Sequence, residues 1–350
     1  MSALLEDSVI APSYAHLWHL TDSRGVFEHA SYDSPRIEHG YCVDDVARAL
    51  VVAIREPDQT AELAEIAEVS LSFLEGAMRY DGMMHNRMNA RGEWTDAASI
   101  GDWWGRAACA LGIAAVHAPL PHTRARALTA FIGTARRRSP DTRASAFAAI
   151  GAAELLRVTR DSVSARRLLI DSLAVLPGAA AADTGWAWPE ARLRYANATI
   201  TEALILGGSV LGDLRMRDRG LALLRFLLDT ETTPTESNSA GRLSVTGSRG
   251  RGPGDVSPVY DQQPIEVAAL ADACARAFEA TDDPQWQGGV RLARAWFLGE
   301  NDLGIPMYDP ATGAGYDGLQ EDGRNENRGA ESTLAALSTL QQARRLELTR

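Results

Sequence analysis

The sequence predicts an all-α (α/α)6 toroid, a six-hairpin barrel in which six inner helices are surrounded by six outer helices. Three observations support this fold. Two kinds of helical segment alternate along the chain, about six pairs of them fit into 350 residues, and the connections are long on one side of each pair only. Helix pairs that stack on one another bury a continuous core. We therefore expect one domain over residues 1–350 with its long loops on one face.

The first kind of segment is apolar on nearly all sides and rich in alanine and glycine. A helix without a polar face is a buried helix, and small side chains let neighbouring backbones approach closely. These segments predict the inner helices. They begin at Val46, Arg106, Arg143, Ala198, Pro264 and Gly329.

The second kind of segment is amphipathic and carries arginine or glutamate on one face. In the segment from Glu62, the apolar residues Leu63, Ile66, Leu71 and Leu74 recur at helical spacing. These segments predict outer helices, and the chain up to about His19 is expected to supply the sixth. The others begin at Thr123, Val163, Arg217 and Gly288.

The connections distinguish the toroid from an open helical solenoid, which is the structural alternative. A solenoid of the HEAT or TPR type would show even repeats of about 34–47 residues. Here the inner-to-outer links are short, whereas four outer-to-inner links are long, roughly 79–100, 177–194, 230–259 and 299–327. Links of one type share one face of a toroid. We therefore expect the long loops at the N-terminal mouths of the inner helices, and long loops on a rigid scaffold often carry function.

A polar cluster stands at the start of each predicted inner helix. Capping explains any single acid there, because aspartate is a favoured N-cap. Capping does not require acids in the company of paired tryptophans or glutamines, whereas indole faces, planar amides and carboxylates together suit a sugar. The predicted substrate-binding residues are Trp103, Trp104, Arg106, Trp186, Trp188, Tyr195, Tyr260, Gln262, Gln263 and Arg328.

The carboxylates of these clusters point to glycosidic chemistry, in which one acid protonates the leaving oxygen and another activates water or attacks the sugar. Asp102 is the first candidate for the general acid, because Trp103 and Trp104 would desolvate it. Asp44 and Asp45 are helix neighbours that diverge by about 100°, so at most one is expected to face the pocket while the other caps. The candidates for the base or nucleophile are Asp45, Asp44, Glu190, Asp261 and Glu331.

Composition and the absence of known motifs exclude several classes of protein. A net charge of −11 disfavours a nucleic-acid partner. No uninterrupted apolar run reaches about 18 residues, so no membrane span is predicted, and the first ten residues do not resemble a signal peptide. Three cysteines without a CxxC pair are expected to be buried thiols in a reducing cytoplasm. No zinc or phosphate-loop motif is present, so neither metal nor cofactor is expected.

Two further segments carry weaker signals. His16, His19, His29 and His39 lie close together in the sequence, where surface or capping roles are favoured over a metal site. The glycine-rich segment GSRGRGPGD from Gly247 does not follow a strand and lacks lysine. We interpret it as a mobile loop near the pocket.

Three motifs resemble an uncharacterised bacterial family labelled glycosidase-like or glycosyltransferase-like, some members of which are fused to a glycosyltransferase domain. They are HLWHLTDSRGVFEHA from His16, GYCVDDVARAL from Gly40 and NRGAESTLAALSTL from Asn327. The broader resemblance, over about 14–340, is to the six-hairpin glycosidase superfamily. It implies an (α/α)6 fold and carbohydrate substrates. It carries over motif membership alone, without catalytic roles, to Asp44, Asp45, Arg48, Arg328 and Glu331.

The sequence therefore predicts a cytoplasmic carbohydrate-active enzyme, foremost a glycoside hydrolase of short oligosaccharides that needs no cofactor. Toroids also include lyases and epimerases, so hydrolysis is one of three reactions. The alternative is a non-catalytic sugar-binding or accessory protein that works with a glycosyltransferase. A helical interaction scaffold is the third reading, and it would expose an apolar patch. No particular oligomeric state is predicted.

Overall fold

Six inner helices form a closed ring in the computed structural model of the protein, which describes residues 11–178, 185–235 and 241–347. They are α2 (Val43–Arg55), α4 (Asp102–His117), α6 (Thr142–Val158), α8 (Asn197–Leu211), α10 (Pro264–Thr281) and α12 (Ala330–Glu347). Each inner helix packs against the next one along the chain, and α12 returns to pack against α2. The predicted all-α toroid is confirmed, and the open solenoid is excluded because the ring closes.

Outer helices pack on the outside of this ring, each against the inner helix that precedes it. They are α3 (Ala61–Ala77), α5 (Pro121–Thr134), α7 (Val163–Val175), α9 (Leu214–Glu231) and α11 (Pro284–Phe297). The sixth outer position, beside α12, is held by α1 (Ala15–His19), which is much shorter than the other outer helices within the described residues. None of the described helices combines the length and the apolar character needed to cross a membrane.

Facing glycines bring the inner helices α4 and α6 into close contact. A Cβ atom at Gly112 would lie 2.3 Å from the carbonyl oxygen of Gly151, and one at Gly151 would lie 2.3 Å from that of Ala108. No side chain larger than hydrogen fits at these two positions. The small-residue composition of the inner segments is thus explained by backbone approach.

The long connections contain short antiparallel ladders and no larger sheet in the described parts of the chain. The pairs are β1 (Ala30–Ser31) with β2 (Ser34–Pro35), β3 (Tyr41–Cys42) with β4 (Arg87–Met88), β5 (Thr232–Thr233) with β6 (Arg242–Leu243), β7 (Tyr308–Asp309) with β8 (Ala314–Gly315), and β9 (Gly318–Gln320) with β10 (Gly323–Asn325).

Backbone pairs between neighbouring long loops join them into a rim at one end of the toroid. The β3–β4 ladder pairs the loop before α2 with the loop before α4. A bridge between Leu193 and Arg251 pairs the loops before α8 and α10, and the Arg328 N–H donates to the Tyr32 carbonyl at 2.8 Å, which returns to the first loop. The four long loops expected from sequence are present. The loop before α2, residues 20–42, is a fifth.

Candidate functional site

A cavity of about 1110 Å³ opens at the N-terminal mouths of the inner helices. First-turn residues of α2, α4, α10 and α12 form part of its wall. All five long loops contribute to the rest of the wall, with residues that include Glu28, Arg87, Tyr195, Ser248 and Asp317. The long loops therefore do collect on one face, around a space large enough for an oligosaccharide.

Side-chain capping occurs on the outer helices rather than at the acidic mouths of α2 and α4. The N-cap of α2 is Cys42 and that of α4 is Gly101, and neither makes a side-chain cap. Asp44 and Asp102 instead lie in first turns, where the helix dipole favours an anion. The side chains that do cap an outer helix are Thr60, Ser162, Asp213 and Asp283.

Asp44 and Asp45 both border the cavity but differ in burial. The Asp44 side chain is 22% exposed, and its Oδ1 lies 3.2 Å from Nε of Arg106. The Asp45 side chain is 3% exposed, pairs with Arg48 and accepts a hydrogen bond from the Cys42 thiol. Burial raises the pKa of Asp45 to about 6. The expectation that one of the two aspartates caps α2 is wrong, because Cys42 occupies the N-cap position.

Arg48 joins two of the predicted carboxylates. Besides Asp45 it contacts Glu331, with 2.7 Å between Nη2 and Oε2. The Glu331 side chain is 43% exposed and borders the cavity. Glu331 is therefore accessible to a ligand but already neutralised by a guanidinium.

Asp102 differs from these acids because its carboxylate has no hydrogen bond or ion pair within the described residues. It begins α4, lines the cavity and is half-buried. Burial raises its pKa, and the guanidinium of Arg106 opposes that rise. Trp103 lines the cavity next to it and donates its indole N–H to the Met84 carbonyl at 2.9 Å. A desolvated carboxyl group of this kind can hold a proton and deliver it.

Glu266 is a further carboxyl group of the wall, outside the set of predicted catalytic acids. It lies in the first turn of α10 and is 4% exposed. Its Oε1 accepts the Ala196 N–H at 2.5 Å. Burial raises the pKa of Glu266 to about 8, so this side chain holds its proton at neutral pH.

The Trp-x-Trp cluster before α8 lies behind the cavity wall, contrary to expectation. Trp188 is 1% exposed, and Trp186 donates its indole N–H to the Glu190 carbonyl at 2.9 Å. Glu190 forms a bidentate pair with Arg143, at 2.7 and 2.8 Å. Burial alone would raise the pKa of Glu190, but the hydrogen bonds and the charge of Arg143 outweigh burial and lower it. These three residues secure the loop and do not line the cavity.

Trp104 also does not line the cavity. It is fully buried in the core, whereas its neighbour Trp103 faces the cavity. Successive helical residues diverge by about 100°. Both tryptophans were predicted to bind substrate, but only one of two successive helical residues can face the cavity.

Four predicted residues in the last two long loops are likewise absent from the cavity wall. Gln262 is fully buried, donates to Asp302 at 2.6 Å and accepts from the Trp296 indole at 3.1 Å. Arg328 stacks over the Tyr316 ring, 4.9 Å from its centroid. The four residues are Tyr260, Asp261, Gln262 and Arg328.

Eight of the sequence-selected residues do meet at the cavity, and their functional roles stay predictions. The start of the glycine-rich segment also lines it, from Gly247 to Gly250, in agreement with a loop near the pocket. The eight are Asp44, Asp45, Asp102, Trp103, Arg106, Tyr195, Gln263 and Glu331.

Wall residues such as Glu28, Asn86 and Asp317 could not be predicted from their position at the start of an inner helix, because they lie in loops well before those helices. Their contribution depends on the backbone pairs between loops. Local sequence does not encode those pairs. The sequence signal that could have pointed to them is the length of the loops themselves.

One group of wall residues has the spacing of a metal site within the described residues. The ligand atoms of Glu28, Cys42 and Asp45 lie within 4.8 Å of one another. Arg87 pairs with Glu28 and Arg48 pairs with Asp45, so both carboxylates are already neutralised. Burial holds the pKa of the Cys42 thiol well above its usual range. These contacts explain the group without a metal.

Solved structures with the same fold match nearly the whole chain. A sugar epimerase from a ruminal bacterium gives a TM-score of 0.69 at 13% identity, over 96% of this chain and 97% of that one. A cellobiose 2-epimerase from Bacillus thermoamylovorans gives 0.70 at 12%, over 95% and 96%. An inactive α-1,6-mannanase variant from a Salegentibacter species, bound to α-1,6-mannotriose, gives 0.60 at 12%, over 95% and 96%.

These structural neighbours are members of the six-hairpin glycosidase superfamily, which the sequence motifs also resemble. At such low identity the likeness shows the fold alone. No protein-family model and no curated protein sequence matches the chain.

Proposed function

We propose that the protein is a carbohydrate-active enzyme that hydrolyses glycosidic bonds of short oligosaccharides. The observation that carries this proposal is Asp102, a half-buried carboxyl group with a raised pKa and no partner in the described structure, on the wall of a large open cavity. Structural neighbours that are carbohydrate-active enzymes of both the epimerase and the hydrolase kind support the substrate class.

Asp102 is assigned the role of general acid, because burial favours its protonated form and the leaving oxygen of a glycoside needs a proton. Asp44 is assigned the role of base or nucleophile. Its charge is close enough to raise the pKa of Asp102, and its ion pair with Arg106 orients its carboxylate. Glycoside cleavage needs two carboxyl groups, one that delivers a proton to the leaving oxygen and one that activates water or attacks the sugar.

A second candidate function is epimerisation or isomerisation of a sugar. The specific observation is His29, which lines the same cavity. Burial lowers its pKa, so its neutral ring is a base able to remove a proton from a sugar carbon. The structural neighbours described above include a sugar epimerase and a cellobiose 2-epimerase.

Isotope labelling distinguishes the two reactions. The wild-type protein is incubated with gluco-, manno- and arabino-oligosaccharides in H₂¹⁸O and, separately, in D₂O, and the products are analysed by mass spectrometry and NMR. Hydrolysis shortens the oligosaccharide and introduces one oxygen from water. Epimerisation keeps its length and introduces carbon-bound deuterium. Binding of these sugars without any turnover would contradict both reactions and favour the accessory-protein alternative.

A further inference from the structure

One wall of the cavity carries two arginines whose guanidinium groups form no ion pair in the described structure, although the charge of Arg194 helps to lower the pKa of Glu190 from a longer distance. Arg194, in the loop before α8, and Arg249, in the loop before α10, both line the cavity and are exposed. Within 11–178, 185–235 and 241–347, neither guanidinium has an ion pair or a hydrogen bond. Two cations thus face the cavity from adjacent loops.

The other arginines of the cavity are paired. Arg48 pairs with Asp45 and Glu331, Arg87 with Glu28, and Arg106 with Asp44. Arg192, beside Arg194, pairs with Asp255 at 2.7 Å. Arg194 and Arg249 therefore differ from the other arginines of the cavity wall, all of which have an acidic partner. They occur in a protein whose net charge is −11.

The backbone holds this basic wall in place. The N–H of Leu193 donates to the Arg251 carbonyl at 2.8 Å, and the N–H of Arg251 donates back to Leu193 at 3.0 Å. Leu193 is fully buried, which leaves its neighbour Arg194 on the exposed side of the ladder. Arg192 also donates to the Gly250 carbonyl at 3.2 Å, next to Arg249. Arg194 and Arg249 therefore lie on two loops that are hydrogen-bonded to each other.

The order of helices in the ring places this wall opposite the acidic one. In a closed ring of six, each inner helix faces the third one along, so α2 faces α8 and α4 faces α10. Asp44 and Asp102 lie at the mouths of α2 and α4, whereas Arg194 and Arg249 lie in the loops that enter α8 and α10. The two unpaired guanidinium groups therefore lie across the cavity from Asp44 and Asp102.

A neutral sugar is bound by hydroxyl, amide and aromatic groups and does not require two unpaired cations. Guanidinium groups match carboxylate and phosphate oxygens, with which they form short charge-assisted hydrogen bonds. We propose that the substrate is an anionic saccharide whose negative group, a uronate carboxylate or a phosphate, is bound by Arg194 and Arg249 while the rest of the molecule reaches Asp44 and Asp102. The part of this proposal that concerns cleavage rests on the proposed function, and the part that concerns binding does not.

The test is direct binding, measured by calorimetry with glucuronate, glucose 6-phosphate and glucose as probes. The variant is Arg194→Ala/Arg249→Ala, and the matched control is Arg291→Ala, an exposed arginine on outer helix α11 that has no partner in the described structure. We expect the wild type and the control to bind an anionic probe at least about tenfold more tightly than glucose, a difference of about 1.4 kcal/mol. The double variant should lose that preference and keep its melting temperature.

Salt and the choice of probe sharpen the result. Because the contact is ionic and exposed, added NaCl should weaken binding of the anionic probe and leave glucose binding unchanged. Preference for glucuronate over glucose 6-phosphate identifies a uronate as the ligand, and the reverse identifies a phosphate. Equal affinity for all three probes, or an anion preference that survives in the double variant, overturns the proposal.

Turnover separates this inference from the proposed function. Cleavage of neutral oligosaccharides at the same rate by wild type and double variant, together with no anion preference, would keep hydrolysis and overturn the anionic substrate. Arginine-dependent binding of an anionic probe without cleavage of any oligosaccharide, neutral or anionic, would keep the ligand class and overturn hydrolysis.

Discussion

Arg48 on α2 and Glu331 on α12 form an ion pair, with 2.7 Å between Nη2 and Oε2, that joins the first and last inner helices at the mouth of the cavity. The same guanidinium neutralises Asp45, whose side chain is 3% exposed. One side chain therefore both joins α12 to α2 and neutralises a buried acid.

Arg48→Met should destabilise the protein by about 3–5 kcal/mol, because it leaves Asp45 buried without its cation. Glu331→Gln, at a much more exposed position, should cost less than about 1 kcal/mol. Urea unfolding measures both. The double variant Asp45→Asn/Arg48→Met should recover part of the loss, and equal losses in the two single variants would contradict this account.

Gly112→Ala should be destabilising by about 2 kcal/mol or more, because the new Cβ would lie 2.3 Å from the Gly151 carbonyl oxygen and would separate α4 from α6. Gly76→Ala is the matched control, since Gly76 lies in α3 and has no atom within 4 Å of its Cβ position. The control should stabilise by up to about 1 kcal/mol. Thermal unfolding of both variants is the measurement. A harmless Gly112→Ala would mean that these helices can separate freely.

The fold could be predicted from sequence because it depends on local composition. An all-apolar helix must be buried, here inside the ring, whereas an amphipathic helix has one solvent-facing side and suits the outside. Within the described residues, the short α1 is the element that differs most from its expected outer helix. The chain up to about His19 was expected to supply that helix, and residues 1–10 of it lie outside the described residues.

The site was predicted less completely, because long-range partners decide where a side chain points. Asp102 and Trp103 follow from helix position alone. Glu190 does not, since its bidentate partner Arg143 lies 47 residues away. Gln262 is similarly held by Trp296, 34 residues further along. Polar residues that secure a loop look like ligand-binding residues until their partners are known.

Glu266→Gln should change how stability depends on pH. Burial raises the pKa of Glu266 from 4.5 to about 8, so the folded wild type binds this proton more tightly than the unfolded chain does. Its stabilising effect is full below about pH 4.5 and is lost as pH rises through about 8. Glutamine cannot titrate. The variant should gain at least about 1.4 kcal/mol relative to wild type between pH 5 and 8.5, measured by urea unfolding, and a constant difference would contradict the raised pKa.

Asp102→Asn is the most direct test of the proposed chemistry. Asparagine keeps the size and polarity of the side chain but cannot deliver a proton. General acid catalysis contributes about 10²–10⁴-fold, so kcat on a glycoside should fall by that factor while sugar affinity changes little. The melting temperature should be unchanged or slightly higher, because the half-buried carboxyl group has no partner in the described structure to lose. Steady-state kinetics, calorimetry and thermal unfolding provide the three measurements.

The pH profile shows whether Asp102 acts as the acid rather than as a bystander. With its pKa raised by burial, loss of activity on the alkaline side should begin above the range of an ordinary aspartate. A substrate whose leaving group needs no protonation, such as a 2,4-dinitrophenyl glycoside, should largely restore kcat in Asp102→Asn. Restoration by that substrate is not expected for a residue that only shapes the cavity. Full activity of Asp102→Asn on ordinary oligosaccharides would remove Asp102 from the mechanism and leave Glu266, whose pKa burial raises to about 8, as the next acid to test.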